Sequence, residues 1–227
     1  GKELILWGAR TVDRQFLDDG AAYDPVADRW RLLPPSPLRA RDLRGAAVWT
    51  GREMVVWGGG TSDEAFPDGA AYDPAANTWR SLAPSPLDAR FARIVWTDKE
   101  VVVWGGEDFR QVFADGAAYD PAANTWRPLA QSPLSGRVSA TSVWTGHEAL
   151  LWGGSNGTFL SFFGDGAAYD PATDRWRPLP RWSGRLAPLG IWTGSELLVW
   201  GGTEPDGPST PRVAPIRSAS DGRRLRP

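Results

Sequence analysis

The sequence predicts an all-β chain of repeated four-stranded antiparallel sheets, on three observations. The Trp-Gly pair recurs at Trp7, Trp57, Trp104, Trp152 and Trp200, at intervals of 50, 47, 48 and 48 residues. The segment Asp-Gly-Ala-Ala-Tyr-Asp-Pro recurs unchanged from Asp19, Asp68, Asp115 and Asp165. Between these landmarks the apolar runs are short, β-branched or aromatic, and bounded by Gly, Pro, Asn or Asp, which is strand patterning; no run supports a helix. A fixed stride in this range marks a repeat architecture.

The second repeat shows each element in order. Ala46 to Thr50 reads as strand one, Gly51-Arg52 as a turn, and Glu53 to Trp57 as strand two. A loop from Gly58 to Asp68 leads to strand three at Gly69 to Tyr72. Asp73-Pro74 then suits the first two positions of a type I turn, and Thr78 to Leu82 is strand four. Each repeat tyrosine is followed seven residues later by tryptophan: Tyr23 by Trp30, Tyr72 by Trp79, Tyr119 by Trp126 and Tyr169 by Trp176. A further tryptophan ends strand one at Trp49, Trp96, Trp144 and Trp192, so of 14 tryptophans only Trp182 stands outside the period. Rings placed so regularly have packing as their default role.

Four antiparallel strands per unit of this length is the signature of a β-propeller blade. One blade cannot bury enough surface to offset its ordering entropy, so blades must stack. The expected units run over residues 1–34, 41–84, 90–131, 137–180 and 185–227, within a single propeller domain over 1–227 that is a piece of a longer propeller or, alternatively, a five-bladed ring with an imperfect closing blade. The first unit starts at strand two and lacks its inner strand. The last is degenerate, with Pro215 to Pro227 standing where the third and fourth strands would be, without the Tyr and Trp.

Gly-Gly closing strand two (Gly58-Gly59, Gly105-Gly106, Gly153-Gly154, Gly201-Gly202), then Tyr-Asp-Pro, then Trp after six intervening residues, resembles the kelch repeat, as does an arginine ahead of strand one at Arg90 or Arg137. The resemblance covers nearly the whole chain. It departs in one respect: the histidine common near the middle of kelch strand one is replaced by small or apolar residues. The resemblance implies a kelch-type β-propeller with about five blades visible, in the superfamily of galactose oxidase, and a platform that binds proteins or glycans. Copper oxidases of that superfamily need Cys and His ligands, whereas this chain has no Cys and one His, so no cofactor is expected.

Composition narrows the partners. With 25 basic against 27 acidic side chains the net charge is −2, which argues against a dedicated nucleic-acid binder. No stretch approaches the roughly 18 apolar residues of a membrane helix, so no membrane insertion is expected. Only two of the basic residues, Lys2 and Lys99, are lysines, a bias that hints at a bacterial GC-rich genome. A secreted or cell-envelope protein of that kind would carry any export signal upstream of Gly1, and the sequence leaves compartment and oligomeric state open.

Antiparallel order puts the one-to-two and three-to-four turns on one face and the two-to-three and four-to-one loops on the other. The first face is monotonous. The second varies, and it carries every phenylalanine except Phe91. Scaffold positions are shared because each blade meets the same packing problem; divergence marks positions released for other tasks, or positions that nothing constrains. Phe66, Phe109, Phe113, Phe159, Phe162 and Phe163 are therefore candidate ligand contacts, together with the recurrent Arg41, Arg90, Arg137 and Arg185, which the kelch resemblance implies would ring the mouth of the central channel. These guanidinium groups could grip carboxylates of a peptide or acidic sugar. Alternatively each ties its loop to a recurrent carboxylate such as Asp68, Asp115 or Asp165.

The leading expectation is a non-catalytic module for a protein segment or glycan. The alternative is a carbohydrate-acting enzyme of the sialic-acid mutarotase, epimerase or glycosidase kind, using Asp63-Glu64 or Glu107-Asp108 as a carboxylate pair. His147 fills a turn slot held elsewhere by Arg52, Lys99 and Ser195, and Glu53, Glu100, Glu148 and Glu196 sit on the monotonous face, where scaffold roles are expected. Gly58-Gly59-Gly60 opens no helix and precedes no Lys-Ser/Thr, which sets aside a phosphate loop.

Overall fold

The computed structural model describes residues 2–158, 161–203 and 216–217, and every regular element among them is a strand. Blade 1 is a three-stranded sheet of β1 (Leu4–Arg10), β2 (Phe16–Asp24) and β3 (Arg29–Leu32). Blade 2 has β4 (Ala47–Trp49), β5 (Met54–Trp57), β6 (Gly69–Asp73) and β7 (Thr78–Ser81). Blade 3 has β8 (Phe91–Trp96), β9 (Val101–Glu107), β10 (Gly116–Asp120) and β11 (Thr125–Pro128). Blade 4 has β12 (Thr141–Trp144), β13 (Ala149–Trp152), β14 (Gly166–Asp170) and β15 (Arg175–Leu179). Blade 5 has β16 (Leu189–Trp192), β17 (Glu196–Trp200) and β18 (Ile216–Arg217). The missing first strand of blade 1 and a third strand in the eroded last blade both match the sequence reading. The expected fourth strand of blade 5 lies outside the described residues.

The chain divides into two compact units: Gly1–Val103 with Glu107–Gln111 and Gly116–Pro128, and Trp104–Gly106 with Val112–Asp115 and Leu129–Pro227.

The Tyr-to-Trp spacing is a hairpin geometry. Asp73 Oδ1 accepts the amides of Ala75 and Ala76 at 2.9 and 3.2 Å, closing the turn after Pro74. Asn77 completes it at φ 52°, a left-handed conformation that Asn tolerates. Tyr72 is thereby set opposite Trp79, with ring centroids 5.2 Å apart, and its hydroxyl donates to Asn77 Oδ1 at 2.7 Å. The pairs Tyr23–Trp30, Tyr119–Trp126 and Tyr169–Trp176 repeat it at 5.0, 5.0 and 4.8 Å.

Strand periodicity then divides the blade 2 sheet between two neighbours. The back face of blade 2 (Met54, Val56, Ala70, Tyr72) packs on Trp7, Ala22 and Leu33 of blade 1. Its front face (Val55, Trp57, Ala71) packs on Val101, Val103, Ala117 and Tyr119 of blade 3. In the second unit Leu150, Trp152 and Ala168 meet Leu197 and Val199 in the same way. Inner strands such as β5, buried at all four positions, thus read as continuous apolar runs.

Within the first unit each seam is pinned by rings and by one arginine. Trp79 stacks edge-on against Trp7 at 5.6 Å and its indole N–H donates to the Pro34 carbonyl at 3.1 Å. Trp126 does the same with Trp57 at 5.7 Å and Ala83 at 2.9 Å. Arg80 forms an ion pair with Glu53 of its own blade and donates forward to the Tyr119 hydroxyl at 2.7 Å. Arg31 likewise links Glu3 to Tyr72.

Trp182, the tryptophan outside the period, lies 6.1 Å from Trp152 in the second unit. It covers the ring position that the strand-four tryptophan of the next blade serves elsewhere, and blade 5 has no such residue in its sequence. Not every periodic ring is buried. Trp49 is half exposed at the inner-strand end, and Trp30 and Trp200 are exposed on the outer sheets.

Candidate functional site

The repeat arginines are built into the loops that join the strands. Second-strand ends carry Gly58-Gly59 at φ 74° and 78°, and the chain must pass close to its neighbour there: a Cβ on Gly58 would stand 2.6 Å from the Arg90 carbonyl. Only glycine meets both demands. The amides of Gly58 and Gly59 then donate to the carbonyls of Asp68 and Arg90, at 3.0 and 3.1 Å, fixing the loop's two ends.

Arg41 fills the space this creates. Its guanidinium is fully buried, donating to both Asp68 carboxylate oxygens at 2.7 and 3.2 Å, to the Gly58 carbonyl at 3.2 Å and, through Nε, to the Arg39 carbonyl at 2.9 Å. In the second unit Arg137 donates to Asp165 Oδ1 at 2.8 Å, to the Gly153 carbonyl at 3.1 Å and to the Ser135 carbonyl at 3.1 Å. Burial pushes the Arg137 guanidinium below its usual range, and the Asp165 carboxylate opposes that shift. Arg90 and Arg185 are buried too, with Arg90 Nε on the Asp88 carbonyl at 2.9 Å and Arg185 on the Gly201 carbonyl at 2.7 Å. The tie from loop to repeat carboxylate is formed at Arg41–Asp68 and Arg137–Asp165.

The phenylalanines separate into two sets. Phe66 and Phe113 are buried and Phe163 is half-buried. Their amides donate to the carbonyls of Gly59, Gly106 and Gly154 at 2.8, 2.9 and 2.8 Å, so each loop folds back on its own strand end. Arg41 lies 4.5 Å from the Phe66 ring centre and Arg137 lies 4.4 Å from that of Phe163. All three stand two residues ahead of a repeat aspartate, Asp68, Asp115 or Asp165, with Leu17 in the same slot before Asp19. That spacing was available in the sequence as a scaffold signal inside the variable loops. Phe162 is half-buried, and Phe159 lies outside the described residues.

Phe109 belongs to the other set. Its turn is closed by Asp108 Oδ1, which accepts the amides of Arg110 and Gln111 at 3.0 and 2.9 Å, and Phe109 takes a left-handed φ of 73°. A bulky residue held there stores roughly 1–3 kcal/mol of strain, a cost that concentrates at functional positions. The ring is 48% exposed and stands edge-on to Phe91 at 5.4 Å. Arg44, also at positive φ, lies 4.0 Å over the Phe91 ring and 5.9 Å from Phe109, and pairs with Glu107 at 3.3 Å. Arg93 donates to the Arg44 carbonyl at 3.2 Å, with its guanidinium pushed below its usual range by burial. Arg44, Phe91 and Arg93 were not singled out in the sequence, because their register positions hold unlike residues in other blades.

The carboxylates proposed as a catalytic pair are engaged. Glu107 pairs with Arg44, and Glu64 with Arg39 at 3.3 Å. Burial raises the Asp108 carboxyl, but the Gln111 and Arg110 amides outweigh it and hold it below the usual range, opposite to what a general acid requires. Glu53, Glu100 and Glu148 pair with Arg80, Arg127 and Arg177, and His147 is an exposed turn residue. Among the described residues no group of three or more His, Cys, Asp or Glu could hold a metal.

A family model described as the KLHDC2/KLHL20/DRC7 Kelch-repeats domain matches residues 1–189. The chain belongs to that kelch-repeat family. No curated protein matches this kelch-repeat chain. Among solved structures it is similar to the structure of YjhT, with a TM-score of 0.67 at 19% identity over 82% of this chain. That likeness is one of fold. The kelch-repeat chain spans 66% of the YjhT chain. The kelch propeller supports a binding module in general.

Proposed function

We propose that this kelch-repeat domain is a non-catalytic module that binds a protein segment or a glycan through its variable two-to-three loops. The observation that carries the reading is Phe109, a strained, half-exposed ring stacked between Phe91 and solvent beside the Arg44–Glu107 pair. An aromatic face flanked by a guanidinium and a carboxylate offers apolar contact and both hydrogen-bond polarities, the composition of a binding hot spot. In this reading Arg41, Arg90, Arg137 and Arg185 hold the loops that present the ligand contacts, with Phe66, Phe113, Phe162 and Phe163 as their floor. Glycan rings and peptide side chains both stack on such a platform.

The test is a paired peptide and glycan array probed with the purified chain, followed by titration of the strongest binder. Phe109→Ala and Arg44→Ala should each weaken that binder at least about tenfold, with melting temperature unchanged. Affinity preserved in both variants refutes the site.

A further inference from the structure

Asparagine occurs at three positions, Asn77, Asn124 and Asn156, in two kinds of surroundings. Asn77 and Asn124 are each followed by threonine and close the turn from strand three to strand four, where the side-chain oxygen accepts the repeat tyrosine hydroxyl at 2.7 Å. Asn156 is followed by Gly157, in the two-to-three loop of blade 4. The base of that loop is anchored: Ser155 is buried and exchanges backbone hydrogen bonds with Val138 at 2.8 and 3.0 Å. Asn156, Gly157 and Thr158, just beyond it, are exposed.

The local geometry favours ring closure between the Asn156 side chain and the next main-chain nitrogen. Gly157 has no Cβ to hinder approach to its nitrogen, and its N–H donates to Ser155 Oγ at 3.3 Å, a long hydrogen bond that is easily given up. Asn156 Oδ1 accepts the Thr158 amide at 3.2 Å and the Thr158 hydroxyl at 2.7 Å, an Asx turn that carries the side chain forward along the chain toward Gly157. The same two donors stabilise the negative charge that builds on Oδ1 when a nucleophile adds to Cγ.

We propose that Asn156 is a site of spontaneous covalent modification, its amide being converted to aspartate and isoaspartate. Solvent base removes the Gly157 amide proton, and the nitrogen bonds to Asn156 Cγ. The Cγ–Nδ2 bond breaks and Nδ2 leaves as ammonia, which closes a five-membered succinimide. Water then adds to either ring carbonyl carbon. Opening the new Cγ–N bond leaves aspartate; opening the original peptide bond leaves isoaspartate, with the main chain rerouted through Cβ and Cγ. No oxidation takes place, and either product places a carboxylate where the amide stood. The repeat steps Asp68-Gly69, Asp115-Gly116 and Asp165-Gly166 have the related closure open to them, with loss of water, but their glycines are buried at the starts of β6, β10 and β14. Isoaspartate should therefore not accumulate there.

The purified chain, aged in mildly alkaline buffer made with heavy-oxygen water and then mapped by peptide mass spectrometry that separates aspartate from isoaspartate, tests this. Solvent-labelled aspartate and isoaspartate should appear at position 156 at least about tenfold faster than at Asn77 or Asn124. Gly157→Ala should slow the conversion at least about tenfold. Because Gly157 stands at φ 87°, where alanine is strained, Thr158→Val gives a second reading: it keeps the glycine, removes the hydroxyl donor and should slow conversion at least about threefold. Both changes lie in an exposed loop, so melting temperature should stay near that of the wild type. Three results would each overturn the proposal: an Asn156 that stays an amide while a free Asn-Gly peptide in the same buffer converts, conversion no faster than at Asn77, or a rate that neither substitution lowers.

Discussion

Replacing Tyr119 by Phe removes one oxygen from the seam between blades 2 and 3. That hydroxyl, fully buried, accepts from Arg80 at 2.7 Å and donates to Asn124 Oδ1 at 2.7 Å. A hydrogen bond to a charged group is worth about 1.5–3 kcal/mol, and because the Arg80 side chain is 36% exposed the lower end applies, about 1.5 kcal/mol. For a domain of this size that corresponds to a fall of about 3–6 °C in melting temperature. The same substitution at Tyr23 is the control. Tyr23 makes the equivalent bond to its turn, to Asp28 at 2.8 Å, but among the described residues no arginine donates to it. Tyr23→Phe should therefore cost less than about 0.5 kcal/mol. Urea unfolding followed by tryptophan fluorescence measures both variants. If Tyr119→Phe is no more destabilising than Tyr23→Phe, the arginine does not bind the blades together and the account of the seam is wrong.

Trp182→Ala should destabilise the second unit by about 1–3 kcal/mol, since its half-buried ring covers Trp152, whereas Trp30→Ala on an exposed face should change thermal stability little; equal effects in calorimetry would refute the substitute role of Trp182. The turn carboxylates set an acid limit. Backbone amides of Ala27 and Val26 hold Asp24 below the usual carboxylate range, and those of Ala76 and Ala75 do the same for Asp73. Carboxyls lowered in the folded chain add stability that is fully present above their unfolded pKa of about 4 and is lost as pH falls through the lowered folded values. Asp73→Asn keeps the turn acceptor but removes its titration, so unfolding free energy between pH 5 and 3 should decline less steeply in the variant; an unchanged slope would contradict the assignment.

The blades were legible because their packing problem is repeated: an identical Tyr-Asp-Pro turn and a Trp at constant offset can only mean one hairpin made four times. The site was less so. Phe66, Phe113 and Phe163 sit in loops of divergent sequence, and their common offset from Asp68, Asp115 and Asp165 is hidden when those loops are read as variable. Phe109 is told apart from them by a left-handed turn that no local residue type demands. Arg44 and Phe91 meet because the linker entering blade 2 bulges at positive φ, which depends on tertiary packing and leaves no spacing signal.

The Arg–Tyr staple places its cation on one repeat and its hydroxyl on the next, in the same positions for Arg31–Tyr72 and Arg80–Tyr119. A whole repeat duplicated or cut out between Gly58-Gly59 and Gly105-Gly106 would leave the cation before each junction facing a hydroxyl. Gene duplication could thus lengthen or shorten such an array in single steps, with no compensating substitution needed at the new junction.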